Sequence, residues 1–233
     1  MQWSPNGQKI FFIRFGFPMA SPTAVGSLGT VRPDGSDQTE LQIPDPETAF
    51  WSPDGRELAV INGDQGASLR RGVYLVDAAG TARELAKLQQ PKGMAWSPDG
   101  RELAVAATGG IYTIDADRKA LTRVAGPFLY GTAPAWSPNG KEFAYGALSS
   151  KDFVERLWTI NADGSDRRLI YKTLDVCCGH STAIIPIWSP DGRQLAFTSI
   201  DGTYVANANG SDLRRIGQGS QAAFAWQPIP STR

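Results

Sequence analysis

One five-residue turn is written five times in this chain, and no other feature limits the possible folds so severely. Trp51-Ser52-Pro53-Asp54-Gly55, Trp96-Ser97-Pro98-Asp99-Gly100 and Trp188-Ser189-Pro190-Asp191-Gly192 are identical copies. Asparagine replaces aspartate in Trp3-Ser4-Pro5-Asn6-Gly7 and in Trp136-Ser137-Pro138-Asn139-Gly140, and a worn copy is Trp226-Gln227-Pro228. The six tryptophans stand about 40 to 50 residues apart, a period that belongs to repeat architectures. Proline presets φ at the first corner of a turn, aspartate or asparagine tolerates the next position, and glycine supplies the left-handed residue from which a second strand departs. The motif therefore reads as strand, tight turn, strand.

The segment after each glycine agrees. Residues 8–13, 56–61, 101–106, 141–145 and 193–198 are short and largely unalternated apolar runs, which predicts strands covered on both faces. The second repeat parses into strands at 48–51, 56–61, 72–76 and 82–85. The third has 93–96, 101–106, 110–114 and 121–124, the fourth 133–136, 141–146, 156–160 and 167–170, and the fifth 184–188, 193–198, 202–206 and 213–216. The first repeat is expected to lack its inner strand and to keep 8–15, 27–31 and 39–43, while a final inner strand at 221–228 is left without partners. A second turn also recurs between third and fourth strands, as Asp34-Gly35-Ser36-Asp37, Asp163-Gly164-Ser165-Asp166 and Asn209-Gly210-Ser211-Asp212. Asp117-Arg118 stands where the third repeat should have its glycine, so that turn is expected to be rebuilt. Four antiparallel strands per unit with regular turns predict an all-β fold, a β-propeller of four-stranded blades.

The Trp-Ser-Pro-Asp-Gly turn, the Ile111-Tyr112 or Leu157-Trp158-Thr159-Ile160 strand, and Asn161-Ala162-Asp163-Gly164-Ser165-Asp166 with Arg167-Arg168-Leu169 resemble the WD-like repeat of the TolB-type β-propeller family. The resemblance covers essentially the whole chain. It implies one propeller domain over 1–233, with repeats at 1–47, 48–92, 93–132, 133–183 and 184–220. The five repeats form either a closed five-bladed ring, completed by the 221–228 strand, or part of a six-bladed propeller; the abrupt start, without a signal sequence, favours a fragment. Members of the family include periplasmic partner-binding proteins, sensor domains and the gating propellers of serine oligopeptidases, so the resemblance implies an exported or periplasmic location and leaves function open.

Composition removes other classes. Lysine plus arginine (23) balances aspartate plus glutamate (23), so there is no basic footprint for nucleic acid. No apolar run reaches the ~18 residues of a membrane span. The connections divide sharply. First-to-second and third-to-fourth turns are short and repeated, whereas 16–26, 62–71, 126–132, 149–155 and 171–183 differ every time. A constant scaffold at one end and variation at the other is how binding surfaces are built, which predicts a protein or peptide partner. The candidate contact residues are Phe17, Met19, Arg70, Arg71, Phe128, Tyr130, Phe153, Arg156 and His180, since aromatic and arginine side chains are the usual interface anchors. The tryptophans Trp3, Trp51, Trp96, Trp136, Trp188 and Trp226 hold a fixed place in the repeat and are expected to pack blade against blade.

Asp175-Val176-Cys177-Cys178-Gly179-His180 holds both cysteines and the single histidine. Its spacing does not match a structural zinc site, and reduced thiols in an ordinary loop are expected. The Asp-Gly turns lack the alternating ligands and distal glutamate of calcium loops, and Asn209-Gly210-Ser211, formally a glycosylation acceptor, is one of those turns. There is no Gly-x-Ser-x-Gly nucleophile elbow, one histidine cannot build a histidine-rich metal centre, and no carboxylate pair is singled out. A non-catalytic scaffold without cofactor or metal is the expectation. The alternative is an accessory, gating or sensor propeller whose enzyme part lies outside this chain.

Overall fold

The computed structural model describes residues 1–16, 25–41, 46–62, 71–173, 184–218 and Trp226. Every regular element among the described residues is a β-strand, and no helix there is long and apolar enough to cross a membrane. The strands form antiparallel sheets, one per repeat. The first holds β1 (Gln2–Trp3), β2 (Ile10–Gly16), β3 (Val25–Val31) and β4 (Thr39–Leu41), and the second β5 (Pro46–Trp51), β6 (Leu58–Asn62), β7 (Gly72–Val76) and β8 (Ala82–Ala86). The third holds β9 (Gly93–Trp96), β10 (Glu102–Ala107), β11 (Gly110–Asp115) and β12 (Leu121–Ala125). In the fourth, β13 (Tyr130–Gly131) and β14 (Ala135–Trp136) both pair with β15 (Glu142–Leu148), followed by β16 (Glu155–Asn161) and β17 (Arg168–Lys172). The fifth is β18 (Pro186–Trp188), β19 (Gln194–Ser199), β20 (Gly202–Asn207) and β21 (Arg214–Gln218). Five sheets of this kind in succession are the blades of a β-propeller.

The repeated turn explains why the same strand pair forms each time. In the second repeat the Gly55 N–H donates to the Ser52 carbonyl at 2.8 Å and Gly55 has φ +70°. The buried Ser52 hydroxyl donates to Asp54 Oδ1 at 2.6 Å and accepts from the Glu57 N–H at 3.0 Å, while the Arg56 N–H bonds Asp54 Oδ1 at 3.1 Å. Ser97–Asp99 and Ser189–Asp191 repeat the 2.6 Å contact, and Asn6 and Asn139 accept from Ser4 and Ser137 at 2.7 and 2.8 Å. Because the residues after glycine complete this network, the second strands begin one or two residues later than the apolar runs suggest: β6 at Leu58, β10 at Glu102 and β19 at Gln194.

This geometry carries a pH dependence. Hydrogen bonds from Ser52, Ser97 and Ser189 hold the Asp54, Asp99 and Asp191 carboxyls below the ordinary carboxylate range. A depressed folded-state pKa contributes stability that is present above the unfolded value, near 4, and is lost as pH falls through the folded value. Glu102 and Glu142 run the other way, since burial raises them. Replacing Asp54, Asp99 and Asp191 by asparagine, the residue already present at positions 6 and 139, is expected to preserve folding at pH 7 and flatten the acid limb. Urea titrations between pH 7 and 2 check this; an unchanged acid limb removes these turns as its cause.

The first repeat has an inner strand after all: β1 pairs Gln2 with Phe11 and Trp3 with Ile10. Two residues suffice because β2 supplies the ladder. In the fourth sheet the expected 133–136 strand is shortened to β14, and a further short strand, β13, forms in the stretch read as a variable connection. Pro134, which has no N–H to donate, lies in the gap between them. Thr132 bridges that gap. Its hydroxyl accepts from the Gly146 N–H and donates to the Ile184 carbonyl, both at 2.9 Å. The third repeat's turn is rebuilt as expected, but the left-handed residue is Lys119 (φ +56°) rather than Arg118. The Asp115 carboxylate accepts from the Asp117 and Arg118 N–H groups, and the Lys119 N–H bonds the Asp115 carbonyl.

The chain divides into two compact units, Met1–Leu103 with Ile114–Leu121, and Ala104–Thr113 with Thr122–Arg233. In the first, Phe11, Leu28, Leu41, Ala49, Leu58, Val60 and Val76 make one buried cluster from the facing sides of the first two sheets. Every residue of β6 and β7 is buried, so both parities are used, as the unalternated runs predict. In the second, Leu157, Ile170, Tyr171, Ile184, Trp188, Leu195 and Phe197 join the fourth and fifth sheets. The tryptophans add a directional link. Within the first unit the Trp51 indole N–H donates to the Gln2 carbonyl and that of Trp96 to Phe50, each at 3.4 Å. In the second, Trp188 donates to Ala135 at 2.8 Å and Trp226 to Ile187 at 3.2 Å. In all four cases the acceptor immediately precedes the previous repeat's tryptophan. Each of these four indoles thus ties back to the preceding repeat, whereas Trp3, expected to pack blade against blade, is 56% exposed.

Candidate functional site

Each sheet has two unlike ends. At one end the first-to-second and third-to-fourth turns touch: the Ala162 N–H donates to the Lys141 carbonyl at 3.1 Å, and Ala208 donates to Arg193 at 2.8 Å. The variable connections leave from the other end. Of the nine candidate contact residues, Phe17, Met19, Arg70 and His180 lie outside the described residues, as do Cys177 and Cys178. Arg71 belongs to the first unit, where it pairs with Glu47 at 3.6 Å. The other four gather at the variable end of the fourth sheet.

There the end of β15 is flanked on both sides. Leu129 N–H donates to the Leu148 carbonyl at 3.0 Å and Tyr130 pairs with Leu148, while on the opposite side Phe153 N–H bonds the Ser149 carbonyl at 3.2 Å. Leu129, Tyr130 and Phe153 are 55%, 37% and 59% exposed, so three large apolar side chains are presented beside one strand end. Phe153 has φ +54°, a strained setting for an aromatic residue. Arg156 turns back onto Asp152, donating from Nη1 to Oδ1 at 3.0 Å and from Nη2 to Oδ2. The guanidinium holds the Asp152 carboxyl well below the usual range.

Phe128 and Arg156 also line a crevice of about 180 Å³ with Tyr145, Ser149, Trp158 and Arg167. Tyr145, directly opposite Trp158 in the β15–β16 ladder, is 1% exposed, and its hydroxyl makes no hydrogen bond of normal geometry, although the Arg167 guanidinium stands near it. Burial pushes its pKa up to about 12 against the opposing pull of the Arg167 guanidinium. That guanidinium lies over the Trp158 ring, 4.0 Å from the centroid, a cation–π contact. Tyr145 is absent from the sequence-based candidates, and Trp158 and Arg167 enter there only as part of the repeat motif and not as contact residues. A signal was present: Trp158 is the one tryptophan of seven outside the repeated turn.

A second polar cluster lies between β17 and β20 in the same unit. Asp201 accepts from Tyr204 at 2.6 Å and from Tyr171 at 3.1 Å. Burial acts to raise the Asp201 carboxyl, but the two phenols together outweigh it and lower it. Both carboxylate oxygens are thus occupied. Among the described residues no three histidine, cysteine, aspartate or glutamate side chains converge as metal ligands.

No protein-family description and no curated protein sequence matches this chain, whereas solved structures do. An Agrobacterium tumefaciens protein assigned as TolB aligns with a TM-score of 0.61 and 18% identity over 94% of this chain and 81% of its own. TolB from Acinetobacter baumannii gives 0.62 and 16% over 92% of this chain; the match spans 54% of that protein. The Pyrococcus horikoshii acylaminoacyl peptidase gives 0.61 and 12% over 90% of this chain and 37% of that enzyme. At such identities the likeness shows architecture, and it is shared by enzymes and by TolB alike. The chain has the TolB-type β-propeller fold.

Proposed function

We propose that this chain is a non-catalytic, partner-binding propeller that takes a peptide or protein segment on the variable ends of its sheets. The observation that carries the reading is the exposed group Leu129, Tyr130 and Phe153 beside the end of β15, on connections that no other repeat shares. Aromatic side chains with an arginine nearby are the usual centre of a protein interface. The TolB-type resemblance supports partner binding as the role and export as the setting. A second reading has a specific observation in its favour: the match to acylaminoacyl peptidase covers 37% of that enzyme, as an accessory propeller of a larger protein would.

Panning a displayed random-peptide library on the purified chain tests the first reading. Enriched peptides are expected to bind the native chain and to lose at least tenfold in affinity to a variant carrying Leu129→Ser, Tyr130→Ser and Phe153→Ser, the scale of a lost hot spot. They should keep their affinity for a variant changed at Lys141 and Arg193, at the repeated-turn end. Enrichment that survives the triple change, or no enrichment, sinks the proposal.

A further inference from the structure

We propose that the crevice on the fourth sheet binds a single carboxylate on a short aliphatic stem, with Arg167 as the cation and Tyr145 as a hydrogen-bond donor. The inference stands on the crevice alone and does not require the neighbouring loop surface to hold a partner.

The fourth repeat departs from the others at the positions that build this crevice. The third strands of the second, third and fifth repeats begin Gly72-Val73-Tyr74, Gly110-Ile111-Tyr112 and Gly202-Thr203-Tyr204, and the fourth reads Arg156-Leu157-Trp158. Those glycines sit where an added Cβ would come within 2.7, 2.1 and 2.6 Å of the neighbouring strand's carbonyl oxygen. Arg156 stands at the matching place, while the pairing of β16 with β17 keeps the register shift found in the second and fifth sheets. The charge of Arg156 is already matched by Asp152, so it forms a wall and not the free cation.

Arg167 is the opposite case. It makes no ion pair among the described residues, and its planar head rests on Trp158. A guanidinium stacked by its face keeps its edge N–H groups available, in the fork that matches a carboxylate. Tyr145 supplies the second, independent sign of a missing ligand. A buried hydroxyl without a well-formed hydrogen bond is uncommon and costly, and this one lines the crevice beside the guanidinium, which can donate to its oxygen and leaves its proton free. Being protonated at neutral pH, it keeps an O–H to donate.

Size and charge select the ligand class. A volume of about 180 Å³ is too small for a drug-sized ligand, which takes roughly 300 Å³ or more. Pro127, Phe128 and Ala147 give apolar walls for a methylene stem. One uncompensated positive charge balances a carboxylate, whereas a phosphate monoester, at about −1.5 to −2, would leave excess negative charge in a partly enclosed site. A glutamate side chain of a peptide and a free small acid share this chemistry.

The test is an NMR titration of the whole chain, following the Trp158 Nε1–H and Arg167 Nε–H signals. The probes are N-acetylglutamate α-amide, its glutamine counterpart, acetate and inorganic phosphate. The glutamate compound is expected to bind with a Kd on the order of 1 mM, the glutamine compound not to bind, and phosphate to bind more weakly. Acetate equal to the glutamate compound would also support the site and make free small acids its source. Tyr145→Phe should weaken binding about tenfold or more, as loss of a hydrogen bond to a charged group does. Because that hydroxyl makes no hydrogen bond of normal geometry, Tyr145→Phe should change the melting temperature little, so folding and binding are read separately. Arg167→Met should abolish the shifts and Arg193→Met should leave them intact. The proposal is overturned by equal binding of the glutamine compound, by tighter binding of phosphate, by an unchanged Kd in Tyr145→Phe, or by no shifts at tens of millimolar.

Discussion

Replacing Phe197 by alanine is expected to destabilise the protein by about 3–5 kcal/mol, the range for removing a buried aromatic ring. Phe197 is fully buried in β19, its ring stacked on Tyr204 at 5.5 Å and tilted against Tyr171 at 5.1 Å. It also belongs to the cluster in which Leu157, Ile170, Ile184, Trp188 and Leu195 bring the fourth and fifth sheets together. Two losses add: the transfer free energy of the ring, and the contacts of the atoms left around a cavity that the sheets cannot close. Strands held by ladders on both sides have little freedom to move inward. Since a domain's whole stability is about 5–15 kcal/mol, the variant should unfold at a far lower urea concentration. Equilibrium unfolding followed by tryptophan fluorescence measures this, and a loss below about 1 kcal/mol would mean that this cluster is not the core of its unit.

Gly126→Ala is expected to cost roughly 2–5 kcal/mol, from backbone strain and overpacking together. Gly126 follows β12 with φ +132°, a conformation that side-chain-bearing residues rarely adopt. A Cβ there would lie 2.3 Å from the Gly109 carbonyl oxygen and 3.0 Å from the Gly110 Cα. Both are backbone atoms of the β10–β11 hairpin, so no side chain can swing aside. Gly35→Ala is the comparison. Its φ of +83° is also positive, but nothing lies within 4 Å of the added atom, so it should cost only the backbone part, on the order of 1 kcal/mol. Equal losses in the two variants would show that the packing against Gly109 is not what holds Gly126.

The candidate site was half legible. Phe128, Tyr130, Phe153 and Arg156 could be named because they stand on connections without repeats, and the structure places all four at the variable end of one sheet. Tyr145, Trp158 and Arg167 could not be found that way. They sit within or beside strands, where an aromatic residue reads as packing. The third-strand position that Trp158 occupies carries Tyr74, Tyr112 and Tyr204 elsewhere. Only the pairing of β15 with β16 puts Tyr145 opposite Trp158, and only the fold of the 161–167 turn lays Arg167 over the indole.

The sequence by itself determined the unit of this protein: a tryptophan, a serine-proline-aspartate-glycine turn, and four short strands, repeated. It could do so because that information is local. A proline's φ, a glycine's left-handed backbone and a serine hydroxyl bonded two residues away are fixed within six residues of chain. The structure decided what depends on residues far apart. It set which carbonyls the indoles of Trp51, Trp96, Trp188 and Trp226 reach, how a two-residue strand at Gln2–Trp3 completes a sheet, why the fourth inner strand is short beside Pro134, and which unlike side chains meet in the crevice. Those outcomes follow from register and close packing between strands, where a shift of one residue turns a side chain to the other face. No local pattern encodes them.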